Sequence, residues 1–113
     1  MFANKNRLKK EKEFKDVFQK GKGFKNNFLF LKIKKNNLEY NRLGIVVSKK
    51  ISNKAVVRNQ VKRRLREIIK KESEIIKPGW DIVLVAQPGI EKQKFTSLKK
   101  EVDKLIKDAF KNN

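Results

Sequence analysis

The run KAVVRNQVKRRLRE, residues 54–67, places six cations among fourteen positions: Lys54, Arg58, Lys62, Arg63, Arg64 and Arg66. Such a cluster is suited to recognising phosphate. Four of the six are arginines, whose planar guanidinium fork can meet two phosphate oxygens at once. Asn59, in their midst, both donates and accepts hydrogen bonds, which suits a base edge, a ribose 2′-hydroxyl or a hydrated metal ion. Groups for covalent or acid–base chemistry are missing. The chain has no cysteine and no histidine, which excludes thiolate nucleophiles, Cys-ligated zinc and the usual general base at neutral pH. A protein that hydrolyses a phosphodiester by itself typically clusters carboxylates around metal ions. Here Asp16, Glu39 and Asp81 are scattered between lysines, with no DxD-type pair, and each reads as a local charge partner. No catalytic residue is therefore assigned to the chain. The sole metal candidate is Asn59, acting indirectly through a hydrated ion.

The elements that must position these groups follow from apolar spacing. On a wheel of about 100° per residue, Val57, Val61, Leu65 and Ile68 fall in one narrow sector. Arg58, Asn59, Lys62, Arg63, Arg66 and Lys70 take most of the opposite half, with Arg64 at the border, its stem along the core. This predicts a helix from about Ser52 or Asn53, either of which can cap it, to about Ser73. A merely solvated face would interleave Glu four residues from each cation, and none occurs before Glu67. Phe14, Val17 and Phe18 share one face of a short helix that Gly21 ends. FLFLKIK, residues 28–34, predicts a strand with Leu29, Leu31 and Ile33 on one face and Phe28, Phe30 and Lys32 on the other. NNLEYN, 36–41, is a polar turn, so a hairpin to a buried strand at 43–48 is expected. DIVLVA, 81–86, reads as a central strand, and a last helix from Thr96 to Phe110 carries the stripe Leu98, Val102, Leu105, Ile106 and Ala109. The order is αββαβα, with an extra short strand near Phe24, in an α+β layered domain.

At 113 residues the chain reads as one domain, 1–113, with flexible ends. The formal charge is +19, from 31 Lys and Arg against 12 Asp and Glu. A compact chain with that excess repels itself, so a polyanionic partner is expected. Nucleic acid leads, because neutralised phosphates release counterions. An anionic membrane fits less well, since membrane readers concentrate charge on one amphipathic segment. No apolar run approaches the roughly 20 residues of a membrane span, and MFANKNRLKK lacks the apolar stretch of a secretory signal. A cytoplasmic location is expected by default.

RNQVKRRLRE closely resembles the Arg-Asn-Arg signature helix of the bacterial ribonuclease P protein family, with Gln60 standing third where the signature has arginine. NRLKK followed by Phe14, Val17 and Phe18 looks like that family's N-terminal segment. GIVVSKKISNKAVVRN is similar to its strand-to-helix passage, and DIVLVAQPG to its ending. The resemblance implies a small two-layer sandwich. Its roughly four-stranded mixed sheet would carry its helices on one side, with a left-handed crossover, as in the second domain of a small-subunit ribosomal protein. It implies a subunit of an endoribonuclease that removes the 5′ leader of precursor tRNA. The partners would be a catalytic RNA subunit and precursor tRNA, the cofactor Mg²⁺ bound mainly by RNA, and the free protein a monomer. Arg58, Asn59, Gln60, Lys62, Arg63 and Arg66 would face the RNA subunit. Phe14 and Phe18 would line a leader cleft, where aromatic faces stack any base, with Leu29 and Leu31, or Phe30, as its floor and Lys49 and Lys50 as phosphate contacts. On periodicity alone Phe14 and Phe18 are equally core residues. The alternative is a ribosomal or other structural RNA-binding protein with no role in cleavage.

Overall fold

The structure, a computed structural model, describes residues 6–72 and 76–111. The elements run α1 (Glu11–Lys20), β1 (Lys22–Lys25), β2 (Leu29–Lys35), β3 (Arg42–Val46), α2 (Ala55–Glu72), β4 (Trp80–Ala86) and α3 (Phe95–Phe110), with a 3-10 turn at Ile90–Lys92. The short strand expected near Phe24 is β1. Four strands form one mixed sheet in the order β1-β2-β4-β3. β1 and β4 both run antiparallel to β2, while β3 and β4 are parallel and joined through α2.

The expected hairpin across residues 36–41 does not form, because β4 lies between β2 and β3. Ile82, Val83 and Leu84 are all buried, so this strand needs cover on both faces and a neighbour on each edge. The central place satisfies both needs. The polar loop instead crosses the start of β4. There the Asn36 N–H donates to Gly79 O at 2.9 Å and the Trp80 N–H donates to Asn41 Oδ1 at 2.8 Å. The hairpin is β1–β2, closed by Asn26, whose Oδ1 accepts from the Leu29 N–H at 3.1 Å.

α2 and α3 cover one face of the sheet. Leu29, Leu31 and Ile33 of β2, Ile82, Leu84 and Ala86 of β4, Val61, Leu65, Ile68 and Ile69 of α2 and the full α3 stripe form one cluster. Complete burial of a leucine contributes roughly 2–3 kcal/mol, so this cluster carries most of the apolar stabilisation. The expectation that all helices share one side is corrected: α1 lies across the other face. Its Val17 packs with Val83 and Leu8, flanked by half-buried Phe14, Val46 and Val85. Alternation along β4 sends Ile82 and Leu84 one way and Val83 the other, and Val83 then needs its own cover.

Two boundaries differ from expectation. α2 begins at Ala55, and Lys54 stands in the cap position, since its carbonyl accepts from the Arg58 N–H at 3.1 Å. Ser52 caps only the turn before it, its Oγ accepting from the Lys54 N–H at 3.1 Å. At the other end the helix reaches Glu72, and the expected terminus Ser73 lies outside the described residues. Gly21 ends α1 as expected. A side chain there would collide with the carbonyls of Val17 and Ile33, so the close approach of α1 to β2 requires glycine.

Candidate nucleic-acid interface

α2 is held by its apolar stripe and leaves its charges outward. Asn59, Gln60 and Arg63 are exposed, while Arg58, Lys62 and Arg66 are half-buried along the side of the helix. Among the described residues none of Lys62, Arg63 and Arg66 has an acidic partner within salt-bridge distance; the ion pairs present involve Lys20, Lys34, Arg42 and Lys107. Arg58 is different. One of its guanidinium nitrogens donates to Ser52 O at 2.9 Å, so it also ties the loop to the helix.

Lys62 and Arg66 line a cleft together with Arg7, Leu8, Phe14, Leu43, Gly44 and Ile45. The two regions read separately in the sequence, the basic helix and the N-terminal aromatics, therefore meet at the edge of β3. The N-terminal segment covers this edge, with the Leu8 N–H donating to Leu43 O at 2.9 Å. Arg7 joins the cationic set through this pairing, which spacing along the chain does not reveal.

The aromatic pair divides its duties. The Phe14 ring lies against Gly44, where any side chain would strike it, so Phe14 is largely a packing residue with one edge at the cleft. Phe18 is 37% exposed and offers its ring to solvent. Leu29 and Leu31 are corrected as leader contacts: both have zero exposure in the core under α2 and α3. The same alternation brings Phe30 and Lys32 to the α1 face. There Phe30 lines a hollow with Lys25, Asn26, Asn27, Gln87 and Pro88, which adjoins a second lined by Ser48, Lys50, Ile51 and Val85 through shared Gln87 and Pro88. Lys50 is thus at the groove. Lys49 is exposed beside it in the same turn but is not part of its lining. Gln87 escaped the sequence reading, although the period-2 pattern of Val83, Val85 and Gln87 carries the signal.

α1 is fixed by charge at both ends. Glu13 Oε1 accepts from the Lys9 and Lys10 N–H groups at 2.9 and 3.0 Å, and its Oε2 accepts from Arg42 Nη1 at 2.6 Å. Those backbone donors, first Lys10 and then Lys9, hold the Glu13 carboxyl below its ordinary pKa, and the Arg42 charge adds to the effect. Arg42 also grips Asp81 with two bonds of 2.8 and 2.7 Å, and Asp81 is 2% exposed. Asp16 pairs with Lys34 at 2.8 Å and Lys20 at 3.3 Å. Asp16 and Asp81 are therefore charge partners, as expected. Among the described residues no three carboxylates converge to hold a metal ion.

The Ribonuclease P family model matches residues 2–109. The ribonuclease P protein component of Alkaliphilus metalliredigens is 40% identical over 102 residues, 90% of this chain and 91% of that one. That of Clostridioides difficile is 41% identical over 101 residues, 88% of each. Among solved structures, the Staphylococcus aureus RNase P protein superimposes with a TM-score of 0.85 at 28% identity, covering 96% of this chain and 98% of that one. The Thermotoga maritima protein does so with 0.81 at 32%, covering 90% and 96%. An α+β sheet with a basic crossover helix, matched over nearly its whole length in sequence and in shape, leaves one assignment: the chain belongs to the ribonuclease P protein family, the protein subunits of a tRNA-processing endoribonuclease.

Proposed function

We propose that the outward face of α2, with Arg58, Asn59, Gln60, Lys62, Arg63 and Arg66, docks on the RNA subunit of ribonuclease P. In the same reading, the groove between α1 and the sheet holds the single-stranded 5′ leader of precursor tRNA. One observation carries this: Lys62 and Arg66, without acidic partners among the described residues, line one cleft with Phe14 at the β3 edge, and Phe18, one turn further along α1, is 37% exposed. Phosphates take the cations, and Phe18 with Phe30 offers stacking surface that no particular base sequence is needed to use. Lys50 supplies charge at the groove and Lys49 beside it. Cleavage proceeds at Mg²⁺ ions bound mainly by the RNA, with Asn59 at most touching a hydrated ion, and the protein acts as a monomer in the cytoplasm.

Reconstitution tests the reading. The chain added to a bacterial ribonuclease P RNA at low Mg²⁺ should raise cleavage of precursor tRNA strongly, with the chain alone inactive. In that holoenzyme Phe18→Ala should weaken precursor tRNA by about tenfold, since a stacked base is worth about 1–3 kcal/mol, and leave mature tRNA unchanged. A fall in melting temperature with the precursor-to-mature ratio intact would make Phe18 a core residue only. No gain in cleavage with the cognate RNA would favour a structural RNA-binding role.

A further inference from the structure

β2 turns three side chains toward α1, and they do different things. Lys34 is paired with Asp16 at 2.8 Å. Phe30 lines the groove. Lys32, between them, has no carboxylate partner among the described residues; its Nζ donates to Phe18 O at 2.9 Å and to Gly21 O at 3.3 Å. It therefore sits on the carbonyls at the C-terminal end of α1, where the helix dipole favours a cation. Phe30 and the Lys32 stem lie side by side over Gly23, where an added Cβ would come within 3.1 Å of the ring and 3.5 Å of Lys32 Cε. An ammonium has three N–H bonds, and the two carbonyls use two of them.

We propose that Lys32 is a phosphate-binding residue of the groove that also seats α1. Two of its N–H bonds hold the turn that carries Phe18, and the third takes a backbone phosphate of the single-stranded RNA beside Phe30. This rests on the groove being the leader site. Two neighbouring cations are engaged elsewhere, Lys34 with Asp16 and Arg42 with Glu13 and Asp81, while Lys25 and Lys50 line the hollows themselves. Of Lys32, Lys34 and Arg42, Lys32 alone spends its donors on neutral carbonyls, so its charge has no carboxylate partner among the described residues, and its stem lies beside the Phe30 ring that lines the groove. A phosphate arriving there gains a charge-assisted hydrogen bond, and the bound strand and the pose of Phe18 become coupled through one side chain.

The test uses the holoenzyme assembled from the full chain and the RNA subunit, with dissociation constants for precursor and mature tRNA measured across a salt series. Lys32→Met keeps the stem and removes the donors. It should weaken precursor tRNA about tenfold, the worth of one hydrogen bond to a charged group, and lower the salt slope of precursor binding by about 0.7, one single-strand phosphate. Mature tRNA should be unaffected, and Lys32→Arg should restore both quantities. Lys32→Gln, which keeps N–H donors for the carbonyls but no charge, should give the same drop in slope with the melting temperature retained. A purely structural lysine would lower the melting temperature and leave the slope alone; that result, or wild-type precursor affinity in Lys32→Met, overturns the proposal. Phe18→Ala separates this from the groove reading. If it lowers the precursor-to-mature ratio and Lys32→Met does not, Lys32 has no part in a groove that still binds leader. If neither variant moves the ratio, the groove itself is not the leader site.

Discussion

Replacing Lys62, Arg63 and Arg66 together with alanine should raise the dissociation constant for the ribonuclease P RNA subunit by about 10³-fold, roughly tenfold per lost charge-assisted contact. The slope of log affinity against log salt should flatten by about 3, close to one for each phosphate contact removed. The fold should survive. None of the three has an acidic partner among the described residues, and the helix is anchored from its other side by Val61, Leu65, Ile68 and Ile69. At a net charge of +19, removing three cations lessens self-repulsion, so the melting temperature should hold or rise. Arg58 is left out of the set because its bond to Ser52 O gives it a structural duty. Filter-binding or fluorescence titration at several salt concentrations reads the result. Unchanged affinity and slope would mean that this face does not touch the RNA subunit.

Asp81→Ala should destabilise the chain by about 3 kcal/mol, the low end of what removing one member of a buried pair costs. The low end applies because the Arg42 side chain keeps 22% exposure and can recover some hydration. For a domain of this size that corresponds to a fall of about 10 °C or more in melting temperature. The loss is large because Asp81 serves three bonds at once: two from Arg42 and one from Asn36 Nδ2 at 2.9 Å. Arg42 in turn holds Glu13, so the damage spreads to the start of α1. Acid should loosen the same network. The folded pKa of Glu13 lies below its unfolded value, so its contribution is complete above the unfolded value and fades as pH falls through the folded one. Thermal melts followed by circular dichroism check the substitution, and a loss below about 1 kcal/mol would show that Arg42 finds equal satisfaction without Asp81.

Local periodicity was enough to define the elements. The α3 stripe, the Leu29-Leu31-Ile33 face, the β4 run and the amphipathic α2 all appear where their spacing put them, because burial of one face is a property of consecutive residues. The cationic face of α2 was legible for the same reason: charges at helical spacing opposite an apolar stripe have nowhere to go but outward. Partnership between distant segments was not legible. Nothing local announces that β4 inserts between β2 and β3, since a polar turn flanked by two apolar runs looks the same whether or not a third strand comes between them.

The sequence by itself determined the apolar face of α2, α3, β2 and β4 and the outward cationic face of α2, but left Phe14 and Phe18 open between core and groove and placed Leu29 and Leu31 wrongly at the cleft. Only the tertiary structure decided which inward face each residue shares. Leu29 and Leu31 went under α2 and α3, whereas Phe30 and Lys32 went under α1. It also brought Arg7 and Phe14 to Lys62 and Arg66 and joined Glu13, Arg42 and Asp81 in one network. The physical reason is the reach of the interactions. Helical and strand periodicity acts over a few residues, while the choice of sheet neighbour and the pairing of buried charge are settled by close packing between segments dozens of residues apart.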